Sequence, residues 1–283
     1  MPSEPAAAAE PVVTVIEARP GWRPIDFREL WRFRELVWLL AVRDIKVRYK
    51  QTVLGAAWVV IQPVFTMIVF TIFFGRLGGL QRFSEVPYPV LTLAALLPWQ
   101  YFAASLSGAG NSLVNSQHLI TKVYFPRLSI PISSLIAGLV DFAIGLVVLL
   151  MVMAAYGITP SWQVLMLPLF IALTIVTSLA VGLWLSALNV QYRDVRYTIP
   201  FLTQFWMFIT PVAYPGSIVP EQWRVLYALN PMVGVVEGFR WSLFGGADAP
   251  GPMLAVSSVV TLLLLVGGLF YFRRMEKTFA DVV

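Results

Sequence analysis

Between Val53 and Phe74 lies a run of 22 residues without a charged side chain. As a helix it would rise about 33 Å, enough to cross a hydrocarbon core of about 30 Å. Immediately before it stands the basic run Arg43-Asp44-Ile45-Lys46-Val47-Arg48-Tyr49-Lys50-Gln51. Arg43, Lys46 and Lys50, spaced i, i+3, i+7, share one helical face, and Ile45, Tyr49 and Val53, spaced i, i+4, i+8, share another. One face can meet anionic headgroups while the other enters lipid or packs on protein. The junction marks a membrane surface, with the basic side cytoplasmic.

Composition agrees. Of the residues, 58% are apolar and 12% charged, and the mean hydropathy is +0.76, values that fit a polytopic membrane protein. A net charge of +5 would suit a nucleic-acid partner. However, nine of the twenty Lys and Arg fall between Arg19 and Lys50, directly ahead of the first span. Positive-inside bias accounts for them, and no nucleic-acid partner is expected. The chain has no Cys and one His, His118, which excludes a disulfide framework and a thiolate or multi-histidine metal site. Residues 1–25, rich in Ala, Pro and Glu, lack a basic stretch followed by an apolar one and are expected to form a disordered cytoplasmic tail rather than a signal peptide.

Residues 26–52 read as an amphipathic interfacial helix. Asp26 and Glu29 have capping-box spacing, and Leu30, Phe33, Val37 and Ala41 oppose Arg28, Arg32 and Glu35. The expected architecture is all-α, with six transmembrane helices over 53–74, 90–114, 130–156, 164–188, 199–212 and 253–272. Gln62-Pro63 and Pro98-Trp99 interrupt the first two. The fifth apolar run is short, and Met232 to Phe244 would rise only about 20 Å, so 215–249 is expected to dip in from the outside and return. Six crossings with both termini inside place sixteen of the twenty Lys and Arg in the cytoplasm, leaving Arg76, Arg82, Arg224 and Arg240 outside. No sequence repeat supports an inverted-repeat transporter.

A series of motifs follows this frame. It comprises the basic run into Leu54-Gly55 and Trp58, Gln62-Pro63, Leu97-Pro98-Trp99 with Phe102, Lys122-Val123-Tyr124-Phe125-Pro126-Arg127, Asp141 and Tyr192-Arg193-Asp194-Val195. Further on come Pro211, Asn230-Pro231, Glu237 with Arg240, and the tail Arg274-Met275-Glu276-Lys277-Thr278-Phe279-Ala280-Asp281-Val282. In order and spacing the chain resembles the membrane subunit of type-2 ABC exporters that move lipid-linked polysaccharide, such as O-antigen, capsule or teichoic acid. The resemblance covers nearly everything after Asp26. It implies a homodimer in the bacterial plasma membrane, with two copies of a separate nucleotide-binding ATPase that holds ATP and Mg. In keeping with that division, the sequence has no GxxxxGK[ST] phosphate loop.

Several residues carry candidate roles. Lys122, Tyr124, Phe125 and Arg127 resemble a coupling helix seated on the ATPase, with the two aromatics as anchors, although an ordinary positive-inside loop would also explain the charges. Asp141 falls near the middle of the third span, where a carboxylate costs roughly 2.5 to 3.5 kcal/mol and must find a partner or be protonated. Trp99, Tyr101, Phe102, Trp184, Phe201, Phe205 and Phe208 fit either interfacial belts or a pathway whose flat faces pack on pyranose rings. Glu237 and Arg240, i and i+3 on a short outer helix, would pair and form an outer gate, or merely neutralise each other. Export of a small hydrophobic drug or a lipid would suit the same fold. An intramembrane glycosyl- or acyltransferase would need clustered carboxylates or His, whereas Asp141 is alone in the spans.

Overall fold

The computed structural model describes residues 27–50, 55, 57–245, 251–276 and 279. The 1–25 tail, Asp26 of the capping box, Val53, most of the C-terminal tail and the end of the 215–249 segment lie outside them. The described residues form eleven α-helices joined by short turns. Five helical stretches are long and apolar enough to cross a membrane: Ala57–Leu77, Tyr88–Asn115, Ser129–Ala155, Trp162–Gln191 and Gly251–Met275.

The amino-terminal helix is broken in two, α1 (Phe27–Arg32) and α2 (Arg34–Tyr49), with Phe33 between them. Val37, Leu40 and Ala41 are buried, while Arg43, Lys46 and Lys50 are exposed. Helix α3 (Ala57–Phe70) continues through a widened π turn, Thr71–Leu77. Its hydroxyls are satisfied within the helix, since Thr66 donates to the Gln62 carbonyl at 2.9 Å and Thr71 to that of Met67 at 2.7 Å. Such back-bonding meets polar groups where lipid supplies no partner.

Helix α4 (Tyr88–Asn115) is the axis of the bundle. In its most apolar stretch 78% of residues are buried, against 11% in α3 and 17% in the last helix, so those two lie at the periphery. After α5 (Gln117–Lys122), α6 (Ser129–Ala155) returns antiparallel to α4. Close approach of α4 and α6 needs Gly145, where a Cβ would stand 2.3 Å from Leu97 Cδ2. Helix α7 (Leu167–Gln191), entered through a 3-10 turn at Trp162–Met166, packs on the other side of α4. Asn189 of α7 donates to the Gly110 carbonyl of α4 at 2.8 Å.

Where six long spans are expected, the fifth differs. Helix α8 runs Val195–Phe208, 14 residues and a rise of about 21 Å, and turns take over where 199–212 is expected to stay helical. The chain nevertheless travels most of the height of α4, because Ile199 lies beside Gly110 and Val212 shares the Arg240 guanidinium with Leu91. Two short helices follow, α9 (Glu221–Tyr227) and α10 (Pro231–Phe244), the second capped by Asn230, whose side chain accepts from the Met232 amide at 3.1 Å. Pro215, Gly245 and Gly251 border one cavity, so this segment begins and ends at the same end of the bundle. Helix α11 (Gly251–Met275) then runs the full length back. Phe272 joins Leu40, Phe125 and Leu128 in one cluster, which puts α11's last turn beside the amino-terminal helices.

Helix α10 is seated on α7 through Gly238, where a Cβ would lie 2.0 Å from the Phe170 ring. Gly238→Val should therefore force α10 off α7 and lower stability by about 1–3 kcal/mol. Thermal unfolding of the detergent-purified chain reads this directly, and an unchanged midpoint would show that the contact is not tight.

Candidate functional site

Asp141 sits twelve residues into α6, about 18 Å along the helix from Ser129. A carboxylate at that depth needs donors, and α2 brings two. Arg48 forms a salt bridge to Asp141 Oδ2, and the Tyr49 hydroxyl donates to Oδ1. The basic run therefore does not stop at the surface. Its last turn climbs beside α6 until its cation meets the half-buried acid.

This ion pair borders a cavity of about 670 Å³ between α2, α3, α4 and α6, with Met207 of α8 on one edge. Trp58, Trp99 and Tyr101 form aromatic parts of the wall, and Gln62, Thr66 and Gln100 supply polar groups. Gln100 lies about 18 Å from the Tyr88 end of α4, and Gln62 about 22 Å from Leu77 on α3, both within the thickness of a hydrocarbon core. Neither amide side chain makes a hydrogen bond among the described residues. Sequence reasoning treats Gln62 only as the residue before a helix-kinking proline, and passes over Gln100, Trp58 and Arg48 as site residues. The signal that could have found them is the same for both amides: a neutral polar side chain inside an apolar span is costly unless something meets it.

Of the seven aromatics expected along a pathway, Trp99 and Tyr101 line this cavity, although both are almost fully covered by neighbouring helices. Phe201, Phe205 and Phe208 are exposed together on α8, the first two stacked with ring centroids 5.9 Å apart. Phe102 and Trp184 line no part of the cavity. Phe102 is wholly buried against Trp99 and Trp206. Trp184 bridges α7 and α11, donating to the Leu264 carbonyl at 3.0 Å and stacking on Tyr271 at 4.9 Å.

The loop after α5 holds a second constellation. Lys122 and Tyr124 are exposed, but Phe125 is only 4% exposed and packs with Leu113, Leu128 and Phe272. Of the two aromatics expected to face a partner, only Tyr124 is displayed, because the chain bends at Phe125 and its ring packs back into the bundle. The Tyr124 hydroxyl donates to Glu29 Oε1 at 3.2 Å. Burial, then the Glu29 charge and hydrogen bond, push its pKa up, so it stays a donor at neutral pH. The Arg127 amide donates to Glu276 Oε1 at 3.2 Å, tying the loop to the end of α11, and its side chain donates to the Ile120 carbonyl at 2.7 Å.

At the opposite end Glu237 and Arg240 pair at 3.0 Å. Arg240 is 5% exposed and its guanidinium donates also to the carbonyls of Leu91, Val212 and Tyr214 at 3.1–3.2 Å. Desolvation pulls its pKa down and Glu237 partly offsets that. Glu237 Oε1 accepts from the Gly216 amide at 3.2 Å as well. The pair thus knots α10, α4 and the turn after α8 together. No group of three His, Cys, Asp or Glu that could hold a metal occurs among the described residues.

A bundle of apolar helices with an aromatic-walled cavity that carries an ion pair and two amides at membrane depth, and with basic loops gathered at one end, fits a polytopic protein of the transport class. A family model described as ABC-2 type transporter matches residues 35–244, and the chain belongs to that family. It is 32% identical over 254 residues to the O-antigen export system permease protein RfbA of Myxococcus xanthus, covering 88% of this chain and 96% of that one. A protein of the same name from Klebsiella pneumoniae is 28% identical over 252 residues, 88% of this chain and 95% of its own. The polysialic acid transport protein KpsM of Escherichia coli is 24% identical over 239 residues, 84% of this chain and 92% of that one.

Removing one partner of the membrane-depth ion pair leaves the other uncompensated, which is more damaging than removing both. Asp141→Leu should therefore lower the unfolding midpoint, by less than the loss of a fully buried pair would because both side chains keep part of their surface open, and the double variant Arg48→Met with Asp141→Leu should recover most of the loss. Asp141→Asn should fall between, since it keeps an acceptor for Tyr49. A cycle of unfolding midpoints measures the coupling, and strictly additive losses would show that the pair is not a unit.

Proposed function

We propose that the chain is the membrane subunit of an ATP-driven exporter that carries a lipid-linked polysaccharide from the cytoplasm across the bacterial plasma membrane. The observation that carries this reading is similarity over nearly the whole chain to proteins named for O-antigen and polysialic acid transport. The cavity, mostly apolar in its lining, also carries an ion pair and two amides, hydrogen-bonding groups that a small hydrophobic drug or a lipid would leave unmatched. A transferase reading finds no clustered carboxylates or His within the spans.

ATP and Mg belong to a separate nucleotide-binding subunit, two copies of which serve a dimer of this chain. The loop at 122–127 receives the push, with Lys122 and Tyr124 facing the ATPase and Phe125 anchoring the loop to α11. A second copy covers apolar surface that one copy leaves open, including Phe65 and Ile68 on α3. The exposed row Phe201, Phe205, Phe208 on α8 suits a glycan, packing on the C–H faces of pyranose rings. The end that carries α1, α2 and α5 faces the cytoplasm, as charge bias requires. Counting α8 with 209–212, the chain crosses six times and α9 with α10 forms a re-entrant cap outside, held by Glu237 and Arg240.

Loss of surface polysaccharide in a host deleted for its own permease should be reversed by this chain together with its ATPase, and the chain purified alone should hydrolyse no ATP. No restored polysaccharide with any glycan-specific host would overturn the cargo assignment. Tyr124→Ala should weaken retention of the ATPase on affinity-tagged chain without changing membrane insertion. For topology, the native chain has no Cys, so single Cys at Ser217 or Gln222 should react with an impermeant maleimide added outside, and Cys at His118 only after the membrane is opened. Reaction of His118→Cys in sealed cells would invert the orientation.

A further inference from the structure

We propose that the cavity between α2, α3, α4 and α6 is a sugar-binding site that holds the glycan by its hydroxyls while the lipid tail stays in the bilayer. This deepens the export reading above and rests on it. The wall of the cavity mixes donors and acceptors. Gln62 and Gln100 each present an amide with two N–H donors and a carbonyl acceptor, and none of these groups is met by a described residue. Arg48 uses one nitrogen on Asp141, and its remaining nitrogens donate to no described residue. Asp141 adds acceptor capacity, and Trp58, 55% exposed, offers a flat apolar face.

A sugar hydroxyl both donates and accepts, so a pyranose matches all of these groups, and its C–H face packs on the indole. An ionised phosphate only accepts. It would leave the Gln carbonyls unmatched and would meet the Asp141 carboxylate, whose charge already balances Arg48. An apolar tail would leave both amides unpaired at membrane depth. The observations therefore favour a neutral glycan headgroup over a phosphate or a tail.

Three probes with one tail separate these occupants: decyl β-maltoside, decyl phosphate and decanol. Ala104 borders the cavity and is exposed, and since the native chain lacks Cys, Ala104→Cys in nanodiscs gives a single thiol whose maleimide labelling reports occupancy. Decyl maltoside should protect this thiol at about five- to tenfold lower concentration than decyl phosphate or decanol, as one to two net hydrogen bonds would give. In the Gln62→Leu/Gln100→Leu background that preference should disappear while the unfolding midpoint holds. Equal protection by all three probes, strongest protection by decyl phosphate, or a preference that survives the double substitution would each overturn the site. The export assay is read separately: a chain that restores surface polysaccharide but shows no headgroup preference keeps its function and loses this site, and one that prefers maltoside but restores nothing does the reverse.

Discussion

A carboxylate inside an apolar helix has to be answered from within the protein, and much of this bundle follows from that answer. Asp141 can be reached by a cation only if another element rises alongside α6. The basic run supplies it, and α2 must then lie against the third span with Arg48 and Tyr49 at its upper end. Burial of Val37, Leu40 and Ala41 lower on the same helix is the apolar counterpart of that tie. One ion pair thus fixes the height of α2, and with it the point at which the chain turns into α3 and one wall of the cavity closes.

The all-helical fold and the approximate ends of four long spans were legible because apolar runs of bilayer length have few alternatives. The helices found at Tyr88–Asn115 and Ser129–Ala155 lie within two residues of the expected 90–114 and 130–156. The fifth run was harder. Its hydropathy continues to Val212, but Thr210 and Pro211 follow a helix that has already ended at Phe208, and the long-range bonds of Arg240 to Leu91 and Val212, which hold the chain there, leave no local trace. Phe125 shows the same limit at a single residue. Its neighbours are Leu113 and Phe272, far away in the chain, so its adjacency to Tyr124 suggested a shared exposure that the fold does not give it.

Site residues divided along similar lines. Asp141 was conspicuous because charge is rare in a span, while the partner that neutralises it lay 93 residues earlier in a stretch already explained by membrane orientation. Gln62 and Gln100 were quiet because an amide carries no charge and one of them precedes a proline that attracts the attention first. Aromatic side chains were abundant enough that position alone could not sort them: Phe102 and Trp184 serve helix packing, Trp99 and Tyr101 border the cavity, and only the α8 row is displayed.

Helix α11 has one further property. Near its start Ser257 accepts from the Gly234 amide at 3.1 Å and donates to the Ala228 carbonyl at 2.9 Å, so it grips both short helices of the far end. Some 22 Å away along the same unbroken helix, Phe272 packs with Phe125 and Glu276 holds the Arg127 amide. The last helix therefore spans the bundle as one brace, tied to the loop at one end and to both short helices at the other, and its only weak point between Ser257 and Phe272 is the Gly267-Gly268 pair, which Trp184 covers.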